Sequence, residues 1–227
     1  TVAYDATASR KAHPYMERGD GSAPYDTNIV CVNADRTPDF VKDAGRGFFT
    51  GRYTIGYWFW ELENFPPFMH AGFDCVDEVW TASRFVASGI RAVGRRPVYT
   101  VPLPVQVPRC SPNVTRASLR LPPGFMFLFI FDFFSIVERK NPTGVIKAFA
   151  RAFRPGEGPI LVIKTINGDW KLNDLEKVRA VAAERPDILI IDKYYSAEEK
   201  SSLLGLCDCY VSLHRSEGFG LTMAEAM

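Results

Sequence analysis

Two glutamates, Glu217 and Glu225, flank a glycine-containing turn, Gly218-Phe219-Gly220-Leu221. Carboxylates accept hydrogen bonds and do not donate them, so they suit ligands rich in hydroxyls. Glycines at a turn let backbone amides come close to a guest, and a helix beginning there favours an anion such as a phosphate. An anion cradle between two acids fits a ligand with hydroxyls on both sides of a phosphate. A sugar nucleotide is such a ligand, with ribose hydroxyls for one acid and sugar hydroxyls for the other. Arg139 and Lys140 form an adjacent basic pair that could neutralise a diphosphate. His214 lies just before the Glu217 loop and is a candidate ligand contact. Glu61 follows Trp58-Phe59-Trp60 and precedes Pro66-Pro67. Aromatics can form platforms for sugar rings, and an acid beside them can bind hydroxyls or move a proton. The competing reading of these groups is a solvated turn, a solvated basic pair and an aromatic core.

The elements that must carry these residues are legible. Phe125 to Phe131 is almost continuously apolar, as a strand buried on both faces would be. Asn141 and Pro142 read as the start of a helix to about Phe153, which puts Arg139 and Lys140 at the C-terminal end of that strand. Ile160–Lys164 and Ile188–Ile191 read as strands, and Leu172–Ala183 as a helix. Ser196 with Glu199 three residues on forms a capping box for a helix to Leu206. Cys209–Leu213 reads as a strand and Leu221 onward as a helix. Alternating strands and helices predict a parallel sheet, whose ligands gather at the C-terminal strand ends.

The first half repeats the alternation. Thr27–Asn33, Tyr53–Trp58, Val79–Ala82 and Val98–Val101 read as strands, Thr37–Ala44 as a helix, and Ser83 as the cap of a helix to about Val93. Thr1 to about Asp26 reads as a polar loop, with an isolated His13. Prolines crowd residues 103–124, which reads as a linker. The domains are therefore placed at 1–102, 103–124 and 125–227.

Composition sets bounds. The net charge of +1 gives no reason to expect a nucleic-acid partner. Five cysteines without a C-x2-C spacing read as buried thiols in a reducing compartment, so a cytoplasmic location is expected. No apolar run is long enough for a membrane helix, which leaves peripheral association open. Asp74, Asp77 and Glu78 precede a strand and have no His or Cys to complete a metal set, so no metal is expected.

Ser212, Glu217, Gly218, Phe219, Gly220, Leu221, Glu225, Ala226 and Met227 resemble the Glu-x7-Glu signature of the family 4 retaining glycosyltransferases, which have the two-domain B-type fold. Lys140, Asn141, Ile146, Ala148 and Phe149 resemble the same family's Lys-Asn helix start. The resemblance implies an α/β architecture of two Rossmann-like parallel-sheet domains, both truncated here, so that the chain is read as a fragment. It implies that Lys140 grips the donor diphosphate and that the Lys164 strand end lines the nucleotide pocket. Two positions depart from the pattern. Asp132 stands where the family has Arg; either Arg139 supplies that charge or Asp132 orients Arg139. The Trp60-Glu61 junction stands where many members have a catalytic-site His.

The function expected is transfer of a sugar, with retention, from a nucleoside diphosphate sugar to a saccharide or lipid-linked acceptor hydroxyl, in polysaccharide or glycolipid assembly. Glu217, Lys140, Arg139 and Glu61 are the expected catalytic residues. Gly218, Phe219, Gly220, Leu221, Glu225, His214 and Lys164 are the expected donor contacts. No permanently bound cofactor is expected. The alternatives are a non-catalytic nucleotide-sugar-binding domain and a sugar-nucleotide epimerase or phosphorylase of the same architecture.

Overall fold

A computed structural model describes residues 25–105, 107 and 109–227. The readings made for residues 1–24, His13 included, lie outside the described residues. The chain divides into two compact units, Thr1–Leu103 and Pro104–Met227.

The first unit is a four-stranded parallel sheet in the order β1-β2-β3-β4. Its elements run β1 (Thr27–Val30), α1 (Thr37–Ala44), α2 (Arg46–Phe49), β2 (Tyr53–Tyr57), β3 (Glu78–Thr81), α3 (Arg84–Arg91) and β4 (Val98–Thr100). Ser83 caps α3 as its sequence requires, accepting from Val86 N at 3.3 Å. Trp58 is fully buried and stacks on Phe65 with ring centroids 6.0 Å apart, so it belongs to the core. The double proline opens a 3-10 helix, Pro67–Cys75, that the sequence reading did not foresee. Asp77 and Glu78 serve the sheet itself. Asp77 accepts from Thr54 N at 2.7 Å, and Glu78 accepts from the Tyr53 hydroxyl and the Trp80 indole.

The second unit is also a four-stranded parallel sheet, in the order β7-β6-β5-β8. Here β5 is Met126–Asp132, followed by α4 (Val137–Lys140) and α5 (Pro142–Ala152). Then come β6 (Ile160–Ile166), α6 (Leu172–Ala182), β7 (Ile188–Asp192), α7 (Ala197–Leu206), β8 (Cys209–Tyr210) and α8 (Leu221–Ala226). Side chains alternate across a strand. Phe129 and Phe131 of β5 and Leu161 and Ile163 of β6 therefore pack with α5 and α6. Leu128 and Val162 turn the other way, toward Leu203 and Leu204 of α7.

Two local expectations are modified by packing. The prolines suggest a linker over 103–124, but from Ser111 onward the stretch joins the second unit. Leu119 and Leu121 are buried beside Leu203, and Ser111 N donates to Ser202 Oγ at 2.9 Å. The expected strand Cys209–Leu213 is only two residues long, because β8 pairs through Phe127–Cys209 and Leu128–Tyr210 and then diverges.

The strand order decides the site. The last strand, β8, lies beside β5 and not beside its sequence predecessor β7. Both are parallel, so the segment leaving β8 emerges next to the segment leaving β5. Among the described residues, no helix is long and apolar enough to cross a membrane.

Candidate functional site

The segments that leave β5 and β8 are stitched together by the backbone. Arg215 N donates to Arg139 O at 2.8 Å, and Arg139 Nη1 donates back to Ser216 O at 3.2 Å. Asn141 ends α4 and begins α5 in the left-handed region, with φ 55°. Its amide does not cap α5 as the sequence suggests. It donates instead to Leu213 O at 3.1 Å. Asn tolerates this conformation better than most residues, and here the same residue also ties the two loops.

On this frame sits Glu217. Lys140 Nζ donates to Glu217 Oε1, and Arg139 Nη1 lies 3.9 Å from the same oxygen. His214 Nδ1 approaches it to 2.7 Å, off the line of a hydrogen bond. The His214 side chain is 5 % exposed and lies edge-on to Phe129, with centroids 5.2 Å apart. Burial alone would raise the Glu217 pKa. His214 and Lys140 outweigh burial and hold the carboxyl at about 2, down from 4.5. Two permanent cations thus approach one carboxylate at the strand ends. Such a cluster can receive an anion.

Gly220 turns the chain into α8 with φ 78°. Gly218 and Gly220 are buried, while Phe219 is half-buried and Leu221 more exposed. Glu225 does not touch the Glu217 cluster through any described hydrogen bond or ion pair. Its two oxygens accept from Lys200 Nζ, at 2.9 and 2.6 Å. Lys200 belongs to α7, on the sheet face opposite α5, so the signature motif straddles the sheet's C-terminal edge.

Lys164 is 5 % exposed. Its ammonium donates to Thr165 O at 2.7 Å and to Lys193 O, and lies 4.6 Å from the Tyr195 ring centroid. Glu61 is half-buried in the first unit, in the loop after β2. Nearby, Trp60 Nε1 donates to Asn64 O at 2.8 Å, and Asn33 Oδ1 accepts from Phe59 N at 2.9 Å.

Three features of the second unit were not anticipated. Lys200 lies 25 residues from Glu225, and no local pattern links them. His214 serves Glu217 as a neighbour. Asp132 is engaged in a network of its own. Its Oδ1 accepts from Phe134 N at 2.9 Å and from Asn167 Nδ2 at 2.7 Å. Asn167 Oδ1 in turn accepts from the Tyr194 hydroxyl, so this relay bridges the ends of β5, β6 and β7.

Residues 128–227 match the family model described as glycosyl transferases group 1. Sucrose-phosphate synthase from Thermosynechococcus elongatus superposes with a TM-score of 0.67 at 13% identity, covering 89% of this chain and 53% of its own. The N-terminal domain of Candida albicans trehalose-6-phosphate phosphatase gives 0.57 at 12% identity, over 79% of this chain and 49% of its own. The pneumococcal O-GlcNAc transferase, solved with UDP and GlcNAc, gives 0.52 at 15% identity, over 81% of this chain and 38% of its own. At such identities the likeness is one of fold. The chain spans about half or less of the length of these structures. No curated protein matches its sequence. The match to the group 1 glycosyl transferases thus lies in residues 128–227, and the two parallel-sheet α/β units have the fold of the B-type glycosyltransferases.

Proposed function

We propose that the protein is a retaining glycosyltransferase that moves a sugar, a hexose in the first instance, from a nucleoside diphosphate sugar to an acceptor hydroxyl. The observation that carries this reading is the Lys140–Arg139–His214 cluster around Glu217 at the strand ends. Lys140 and Arg139 stabilise the leaving diphosphate, which is electrostatic catalysis at the bond that breaks. Glu217 holds the transferred sugar and Glu225 the ribose. Lys164 and the Gly218–Leu221 turn complete the donor side, and Glu61 serves the acceptor side. The two cations replace a metal ion. Attack by the acceptor from the face the diphosphate leaves retains the configuration, and the acceptor proton passes to the departing phosphate oxygen. The acceptor is a saccharide or lipid-linked sugar of the cell envelope, reached from the cytoplasm with peripheral membrane association.

A screen of nucleotide sugars for thermal stabilisation tests the reading. The expected result is stabilisation by one donor that is lost in Lys140→Ala and Glu225→Ala. Unchanged stabilisation in both variants removes the site assignment. Asp132, an acid where the resemblance puts a cation, favours a second reading as a non-catalytic nucleotide-sugar-binding domain. Calorimetric binding of a nucleoside diphosphate without sugar transfer is the result that reading requires.

A further inference from the structure

We propose that Lys200 is a positioning residue that orients Glu225 toward a vicinal diol, and so sets the preference for ribonucleotide over deoxyribonucleotide donors. The inference rests on the reading of Glu225 as the ribose acid.

Glu225 lies on α8, and two side-chain ties hold this segment to its neighbours. The Tyr210 hydroxyl donates to Thr222 Oγ1 at 2.7 Å, and Lys200 Nζ reaches both oxygens of Glu225 at 2.9 and 2.6 Å. The anchor for the second tie is firm. A complete capping box of Ser196 and Glu199 starts α7, and Lys200 follows directly. Ser202, Leu203 and Leu204 are buried one turn further on.

The Lys200 side chain is 39% exposed and that of Glu225 17%. An ion pair this open to water adds little to stability. What it supplies is orientation. An ionised carboxylate offers about four acceptor positions, two on each oxygen. Lys200 occupies one on each oxygen, which leaves one on each for a ligand. Two acceptors side by side match the 2′- and 3′-hydroxyls of a ribose. Without Lys200 the carboxylate turns freely, and the matched pair of acceptors is present for only part of the time.

The test measures binding of UDP, GDP and ADP to the full chain by calorimetry, and then of the 2′-deoxy and 3′-deoxy forms of the tightest. The wild type is expected to prefer the ribonucleotide by about tenfold, the worth of a well-made hydrogen bond. Lys200→Met should lose that preference, and Lys200→Arg should restore it. Pyrophosphate should bind Lys200→Met and the wild type alike. A purely structural tie would weaken all ligands together and leave the ratio unchanged. Retention of the ribose preference in Lys200→Met overturns the inference, as does the absence of any nucleotide binding by the wild type. Glu225→Gln separates the two claims. If it also keeps the preference, the ribose assignment of Glu225 falls. If it loses the preference while Lys200→Met keeps it, only the role of Lys200 falls.

Discussion

Lys140 donates to Glu217 across 77 residues of chain, and both side chains are largely withdrawn from water. The pair exists because β8 lies beside β5 and both strands run the same way. The residues after one strand therefore meet the residues after the other.

This pairing makes the fold sensitive to acid at one carboxylate. The folded-state pKa of Glu217, about 2, lies below its unfolded value of roughly 4.3. Ionised Glu217 then stabilises the fold above about pH 4.3, and this contribution fades as the pH falls toward 2. Glu217→Gln should melt below the wild type at neutral pH, with a gap that narrows in acid. Melting curves of both proteins at about pH 7 and about pH 2.5 check this. An equal gap at the two pH values rules out the pairing as a source of stability.

Asn141 carries two burdens, a left-handed backbone and a bond to Leu213 O. Asn141→Ala should cost about 1–2 kcal/mol in chemical denaturation, from the strained backbone and the lost hydrogen bond together. Asn141→Gly relieves the strain but not the lost bond, so it should cost less. Gly144 leaves room for the Asn141 amide. A Cβ added there would stand 2.4 Å from Asn141 Oδ1, so Gly144→Ala should disturb the same loop contact.

The start of β5 and the end of α7 are held by one clamp. Asp208 Oδ2 accepts from Met126 N at 2.7 Å and from Arg116 Nη2 at 2.7 Å, while Arg116 also donates to Leu206 O at 2.8 Å. The Met126 amide and the Arg116 guanidinium hold the Asp208 carboxyl below its ordinary pKa. Asp208→Ala should lower the melting temperature of the second unit by several degrees. Arg116→Ala in the same background should cost less than it does in the wild type, because its bond to Asp208 is already gone and only those to backbone carbonyls such as Leu206 O remain. Additive losses would show that the clamp does not act as a unit.

In the first unit, Gly89 is required by its neighbour. A Cβ at this position would stand 2.3 Å from Glu63 O, a backbone atom two residues beyond Glu61. Gly89→Ala should destabilise the unit by about 1–3 kcal/mol, the usual cost of overpacking. It should also displace the Glu61 loop. Denaturant unfolding measures the first effect. Trp60 fluorescence reports the second, because Trp60 Nε1 is tied to Asn64 O in that loop.

The local elements were largely legible in the sequence. The capping box at Ser196, the cap at Ser83, the Pro142 helix start and the apolar run of β5 all lie where composition and spacing put them. Each depends on residues a few positions apart, where hydrogen bonding and side-chain periodicity act within one stretch of chain. The 3-10 helix after Pro66 escaped, because its aromatics mimic a loop against a core. Residues 111–121 escaped too. Their prolines suggest a spacer, whereas Leu119 and Leu121 reveal their role only once Leu203 is opposite them.

Sequence alone determined that Glu217 and Glu225 flank a glycine turn between a strand and a helix, and that Lys140 ends the strand-to-helix connection of the second unit. Only the tertiary structure decided what each charge faces. Glu217 meets Lys140, Arg139 and His214, while Glu225 meets Lys200 on the other face of the sheet. The reason is that hydrophobic periodicity fixes which face of a strand is buried but not which strand lies next to it. The order β7-β6-β5-β8 is settled by the packing of whole layers, and the partners of every charged group follow from it.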